Sequence, residues 1–318
     1  MKAAELKRLL IPVTRLSSDQ RAEVLAALDA RGQSEQVRLL LESRLIEQRA
    51  CPHCNGSRIA RNGSARGLQR FKCQACGRTF NALSTTPLAR LRMKDKWLHQ
   101  QDVLQQGLSV NKAASTLDVA RTTAFRWRHR FLQWAQPVKA SELTGVVEAD
   151  ETFFLRSNKG QRTGRKSRKR GGRASRKERG MDLIPILVAR DRSGATADFL
   201  LEAVSKACLS QALLSRIQSD AVLCTDGSAT MAAAAKELHV QHEAVNRSAG
   251  ERVSGPWHIQ NANAHHGRLK AWLARFKGVA TSYLESYLGW FRALHRSSKG
   301  RLKTAPMLAL AVGLAGHH

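Results

Sequence analysis

No apolar run in the 318 residues approaches the roughly 20 that a membrane helix needs, so a membrane-spanning helix is excluded. The apolar stretch 307–315 is too short to span. The N-terminus also lacks the long apolar segment of a signal peptide, opening with Met1, Lys2 and an amphipathic stretch, and the expected location is the bacterial cytoplasm. Cysteine is scarce. Six in a reducing compartment exclude a disulfide framework and point any closely spaced pairs towards metal. No internal repeat is visible. Acidic residues are few as well: 25 Asp and Glu face 53 Lys and Arg, a formal charge of +28. Such a chain repels itself unless a polyanion screens it, which makes nucleic acid the natural partner and leaves no role for a membrane.

What is present falls into segments. The length suits one large domain with one or two small modules. Residues 1–48 are expected to be helical, with Val24, Leu25 and Leu28, then Val37, Leu40, Leu41 and Ile46 at three- and four-residue spacing, and Ser17 or Ser18 as N-cap. This segment packs on the rest of the chain or pairs with a second copy. From residue 143 to 300 short β-rich runs alternate with helical patterns, the mark of an α/β domain. The expected strands are 146–149, 183–189, 195–200, 222–225 and 243–246, with a hairpin turn at Asp191–Gly194 and helices at 201–217, 229–238 and 258–276. Residues 301–318 read as a tail.

Within residues 49–82, Cys51-Pro-His-Cys54 and Cys73-Gln-Ala-Cys76 are separated by 18 residues, a zinc-site spacing. Each CxxC turn puts two thiolates on one side of a tight loop, and two such knuckles complete a tetrahedron around one structural zinc. Residues 94–135 return to helical spacing. Ala113, Leu117, Val119, Ala124 and Trp127 form the inner face of a helix-turn-helix, whose second helix opens with Arg121, Thr122 and Thr123 and continues to Arg126, the polar N-terminal end that major-groove reading requires. An amphipathic hairpin in a helical linker would share that pattern. Residues 156–180 hold twelve Lys or Arg, Arg165, Lys166, Arg168, Lys169 and Arg170 among them, with one acid and no large apolar side chain. This is an inserted loop suited to binding phosphates by charge alone, or a solvated insert with no set role.

Two aspartates stand at the ends of apolar strand segments: Asp150 after Gly145-Val-Val-Glu-Ala, and Asp226 after Ala221-Val-Leu-Cys-Thr. Carboxylates at corresponding strand ends can converge on a pair of hard divalent ions such as Mg2+ (or Mn2+). Glu148 and Glu151 are reserve ligands. In a later helix Asn263, His266 and Lys270 share one face; an asparagine carbonyl can bind magnesium and a lysine can hold a phosphate, while a solvated basic face is the plain alternative.

Taken together, the two CxxC pairs, VVEADETFF around Asp150, CTDGS around Asp226 and HIQNANAHHGRLK from His258 resemble the insertion-sequence 1595 transposases, over residues 49–292. The resemblance implies a zinc ribbon, a helix-turn-helix and a ribonuclease-H-like mixed sheet flanked by helices. It also implies a catalytic set of two aspartates, a glutamate or asparagine, and a lysine, falling on Asp150, Asp226, Asn263 and Lys270. Two magnesium ions on the first three would serve both cutting at the transposon end, which frees a 3′ hydroxyl, and joining of that end to target DNA. Lys270 would steer a phosphate, and the N-terminal modules would recognise the terminal inverted repeats of double-stranded DNA. Bringing two ends together implies a homodimer or larger assembly. The chain departs from the family in carrying His266 where other members often have tryptophan. Two other functions would use the same parts: a zinc-containing DNA-binding regulator with a dead catalytic fold, and a structure-selective nuclease that cuts without joining.

Overall fold

The computed structural model describes residues 12, 16–48, 50–160, 183–245, 253–295 and 304–312. The chain forms two compact units, Leu132–Arg301 and Met1–Phe131 with Leu302–His318. Most of the basic run, with Arg165, Lys166, Arg168, Lys169 and Arg170, lies outside the described residues, as does Asn246 of the expected fifth strand. Among the described residues no helix is long and apolar enough to cross a membrane.

The first unit opens with α1 (Ser18–Gln48), whose start is closed by a reciprocal capping box: the Gln20 amide donates to Ser17 Oγ at 3.2 Å and the Ser17 amide to Gln20 Oε1 at 3.0 Å. Its C-terminal half buries Val37 and Leu41 completely, while Val24, Leu25 and Leu28 stay exposed. A three-stranded antiparallel sheet follows, β1 (Ile59–Ala65), β2 (Leu68–Cys73) and β3 (Thr79–Asn81), in that order. Three helices then pack around Trp97, Leu104, Trp127 and Phe131: α2 (Trp97–Gln105), α3 (Val110–Leu117) and α4 (Arg121–Phe131). Ser109 caps α3 by accepting from the Lys112 amide, and Asp118 at φ 48° ends it, so α3 and α4 make a helix-turn-helix. The last residues are more than a tail, since a helix at Thr304–Ala311 buries Met307, Leu308 and Ala311 and packs against α1, α2 and α4.

The second unit is built on five strands: β4 (Val146–Leu155), β5 (Leu183–Asp191), β6 (Thr196–Leu200), β7 (Val222–Thr225) and β8 (Gln241–Ala244). Their order is β6-β5-β4-β7-β8; β5 runs antiparallel to its neighbours β4 and β6, and β7 and β8 run parallel to β4. With its flanking helices this is a mixed α/β unit, in keeping with the ribonuclease-H-like sheet that the resemblance implies. β5 is apolar and buried along its length because both its neighbours are strands and both its faces are covered, and Asp191 turns the chain into β6 by accepting from Ser193 Oγ at 2.7 Å and the Ala195 amide at 2.9 Å. The helices are α5 (Lys206–Leu213), α6 (Ala229–Glu237), α7 (Gln260–Ala274) and α8 (Leu284–His295).

Two expectations shift here. The helix expected over 201–217 is confined to α5, because Ser205 is extended and caps the Cys208 amide, leaving 201–204 outside it. The fifth strand sits two residues earlier than expected, held by Val222↔Gln241 pairing. Helix α8 closes the core with Tyr287, Trp290 and Phe291 against Trp272 of α7, at ring separations of 5.0 Å for Trp290 and 5.5 Å for Phe291. Gly289 is what lets α8 lie close to the short 3-10 helix at Gln133–Ala135: a Cβ there would stand 2.3 Å from the Ala135 carbonyl oxygen.

Candidate active site and metal centres

Parallel pairing of β4 with β7 matches Val146 to Val222, Val147 to Leu223 and Glu148 to Cys224. Each aspartate lies two residues beyond the last pair, Asp150 within β4 and Asp226 just past the end of β7. Asp226 follows the end of β7, and its Oδ1 accepts from the Ser228 amide at 3.0 Å, holding the carboxylate at the turn into α6. Asp150, however, does not end its strand. β5 pairs with β4 as far as Leu155↔Leu183, so antiparallel bonding carries the strand five residues past the aspartate after the parallel partner has gone. The gap left by β7 opens beside Asp150 for that reason.

Glu151 belongs to the same acidic group. Burial, then the charges of Asp150 and Asp226, push its carboxyl up to about 7, which shows three carboxylates crowded together with no cation of the chain among the groups acting on Glu151. Glu148 has a different task. It is fully buried and already saturated: its Oε2 accepts from the Asn261 amide at 2.7 Å and the Ala262 amide at 3.1 Å, and its Oε1 from Asn261 Nδ2 at 2.7 Å. Arg192 Nε stands 3.2 Å and His258 Nδ1 3.1 Å from that Oε1. A carboxylate engaged so fully is an anchor for the N-terminus of α7, where amides and helix dipole favour negative charge. It has no lone pair in reserve for magnesium, which removes it from the reserve ligands.

From that anchor α7 runs along β4. Glu148 to Asp150 is about 6.6 Å of strand. Ala262 to His266 is about 6 Å of helix, so the helix keeps step with the strand. His266 Nδ1 accordingly lies 3.7 Å from Asp150 Oδ2, beyond hydrogen-bond reach. Burial, then the Lys270 ammonium, drive the His266 imidazole down to about 4, so it is neutral near pH 7. Asn263, one turn before His266, is half-buried on the same face, and Lys270, one turn after it, is exposed. Among the described residues only the four cysteines bring three or more His, Cys or carboxylate ligand atoms within 4.8 Å of one another, and Asn263 stands on α7, the helix that packs on β4.

In the first unit, Sγ atoms of Cys51, Cys54, Cys73 and Cys76 all lie within 4.8 Å of one another. The Cys51–Cys76 and Cys54–Cys73 separations are 3.7 and 3.6 Å. Tetrahedral zinc with Zn–S bonds of about 2.3 Å separates its sulfurs by about 3.8 Å, so the cluster has the right size for one ion and is far too open for disulfides. The two knuckles share one backbone pattern. The Asn55 amide donates to the Cys51 carbonyl and the Cys51 amide to that of Gly56; likewise Gly77 to Cys73 and Cys73 to Arg78. Asn55 at φ 59° and Gly77 at φ 69° make the left-handed turn after each pair. The metal claim carries an expected outcome: elemental analysis of full-length protein should find one zinc per chain, and Cys73→Ser should release it while the second unit stays folded. Carefully purified protein without zinc would sink the claim.

Comparison with known proteins bears on the second unit first. Residues 142–292 match the ISXO2-like transposase domain family. The chain carries an ISXO2-like transposase domain. It is also 28% identical over 271 residues to an uncharacterized protein in transposable element ISH50 of Halobacterium salinarum, a match spanning 82% of this chain and 91% of that protein. Among solved structures, that of a pre-cleavage Mos1 transpososome overlaps 67% of this chain and 77% of its own, at 13% identity and a TM-score of 0.24. These likenesses support a transposase, an enzyme that processes DNA. The transposase domain takes in β4 to β8, α5 to α7 and α8 as far as Arg292, hence Asp150, Asp226, Asn263 and Lys270.

The cysteine cluster and the helix-turn-helix lie outside the matched domain. On α4, Arg121, Thr122 and Arg126 are exposed and Thr123 is half-buried, while Trp127 is core. Two features of the transposase domain were not visible as such in the sequence: the anchoring role of Glu148, and the closeness of Glu151 to both aspartates. The usable signal for the first was alternation, since it placed Glu148 on the same face as Asp150, where only a buried, partnered acid could stand.

Proposed function

We propose that this transposase cuts DNA at the ends of its element and joins the freed 3′ hydroxyls to target DNA at one metal-dependent site formed by Asp150, Asp226 and Asn263. The observation that carries the reading is the parallel pairing of β4 with β7, which brings Asp150 and the turn after β7 that holds Asp226 to the same stretch of the sheet, beside a helix that Glu148 ties to β4. The donor set suits hard ions: two carboxylates and a neutral amide oxygen supply oxygen ligands and leave room for water and phosphate. Magnesium or manganese ions, when bound, would polarise the scissile phosphate and ease deprotonation of the attacking water. Asp150 and Asp226 hold their positions through the sheet. Asn263 adds oxygen without charge, so phosphate oxygens complete the ligand field. Lys270, exposed on the same face of α7, holds a backbone phosphate of the strand to be cut. His266, neutral and buried, keeps α7 against Asp150. The four-cysteine ribbon and the helix-turn-helix would recognise the terminal inverted repeats, and the arginine-rich run would grip backbone. Two copies, one for each end, would assemble around the DNA.

The test is a gel assay with full-length protein, magnesium and labelled DNA carrying the element's ends. Nicked and joined products are expected. Binding without cutting would instead indicate a regulator, and cutting without joining a nuclease. In the same assay Asn263→Ala should lose nearly all cutting, whereas Asn263→Asp should retain part of it and reach half-maximal rate at lower magnesium, since it adds a charge at nearly the same place. An alanine variant with unchanged metal dependence would remove Asn263 from the site and pass the third-ligand role to Glu151.

A further inference from the structure

The first unit holds a second concentration of charge that the active site does not use. Where the antiparallel ribbon meets α4, a cleft of about 920 Å³ is lined by Arg66 and Arg70 of the ribbon, Arg90 and Lys94 of the connecting segment, and Arg126 and Arg130 of α4. No acidic side chain lines it. Arg130 is held in place by the Pro87 and Ala89 carbonyls and Arg70 reaches Thr79 Oγ1 at 3.3 Å, so two of the cations are set by neutral groups. Lys94 Nζ donates to the Arg66 carbonyl at 3.0 Å, bringing two cationic residues together. Burial, then the Arg66 charge, lower the lysine's pKa. Among the described residues Arg66, Arg90 and Arg126 have no ion pair. Arg66 and Arg90 also adopt φ of 53° and 64°, a left-handed conformation in which arginine gains nothing over glycine or asparagine. Two separate modules thus turn uncompensated cations onto one open space. A small-molecule pocket would be enclosed and mainly apolar.

We infer that this cleft is a binding track for the sugar-phosphate backbone of duplex DNA, which passes from the flank of α4 onto the ribbon so that the two modules grip one continuous strand. The inference rests on the reading that the chain binds DNA, and goes beyond it in naming where and through which groups. Arg126 lies on α4 just after the Arg121–Thr123 end expected to face bases, and Arg130 follows one turn later. A backbone beside that helix would therefore meet Arg126 and Arg130, then Arg90 and Lys94, then Arg66 and Arg70. Phosphate contacts position a protein without reading sequence, so loss of these residues should weaken all duplexes alike.

The test uses full-length zinc-loaded protein, comparing wild type with Arg66→Ala/Arg90→Ala, with Arg126→Ala, and with Arg66→Lys/Arg90→Lys. Affinity for end DNA and for an unrelated duplex is measured across a salt series. The slope of log affinity against log salt should fall by about 0.9 for each lost phosphate contact, equally for both duplexes, with the lysine pair close to wild type and zinc content unchanged. An unchanged slope in the alanine variants, with zinc retained, would overturn the track while leaving DNA binding by the rest of the chain standing. Loss confined to end DNA would overturn it too, since that is base reading, as would a slope change seen only with duplex RNA. Wild type that binds no duplex at all would instead bring down the functional reading on which the track rests.

Discussion

Replacing either Asp150 or Asp226 by asparagine should abolish both cutting and joining while leaving binding to end DNA intact. The substitution keeps size and hydrogen-bonding shape and removes one charge from a site whose purpose is to hold cations. Metal assistance contributes several kcal/mol to the transition state, so a fall of about three orders of magnitude or more in rate is expected. Stability separates this from misfolding. In the metal-free protein burial, then the charges of Asp150 and Asp226, push the Glu151 carboxyl up to about 7, so removing one charge should leave thermal stability unchanged or raise it. Millimolar magnesium should raise the Tm of wild type by binding the folded state, and should raise that of the variants far less. Strand-cleavage assays and melting curves with and without magnesium check both halves. Cutting by Asp150→Asn or Asp226→Asn at the wild-type rate would mean the site lies elsewhere.

The parts that could be read from the chain alone are those whose chemistry is local. Cys51 to Cys54 and Cys73 to Cys76 declare a metal cluster because each pair closes its own turn, and the matching knuckles need nothing from afar. Val222–Thr225, followed by Asp226 and Gly227, declares its own end, since Gly227 at φ 81° turns the chain into α6. Asp150 was harder. The residues after it, Glu151 to Leu155, stay extended because β5 pairs with them across the chain, and that pairing is non-local. Hydrophobic patterning did not mark it either, since Thr152 is buried and Phe153 exposed. Helix α8 was equally legible in principle from Leu284, Tyr287, Leu288 and Phe291 at helical spacing, a pattern left unused. Alternation put Glu148 on the face of Asp150, but its anchoring role was not legible, because its partners Asn261 and Ala262 lie 113 and 114 residues downstream. Nothing adjacent to an acid announces that a distant helix will begin on top of it.

That anchor yields the other large expected effect. Glu148→Ala would strip the acceptor from two backbone amides and the Asn261 side chain, and leave Arg192 facing the place where its counter-charge stood. Removing one partner from a buried charged network costs about 3–5 kcal/mol, more than the pair contributes when intact, because the remaining groups stay desolvated. For a unit of this size that corresponds to a fall of roughly 10 °C in Tm. Glu148→Gln should lie between, since its amide oxygen can still accept while its amide nitrogen meets donors instead of complementing them. The consequence for catalysis follows from geometry: with the start of α7 released, Asn263 and Lys270 lose their height above Asp150, so the residual cutting measured below the lowered Tm should need more magnesium. A metal ligand would behave otherwise, losing activity without losing stability, because removing a carboxylate from an acidic site relieves repulsion. Denaturant melts and magnesium titrations of the alanine and glutamine variants therefore separate the two roles, and a Glu148→Ala protein that melts like wild type yet fails to cut would return Glu148 to the metal site.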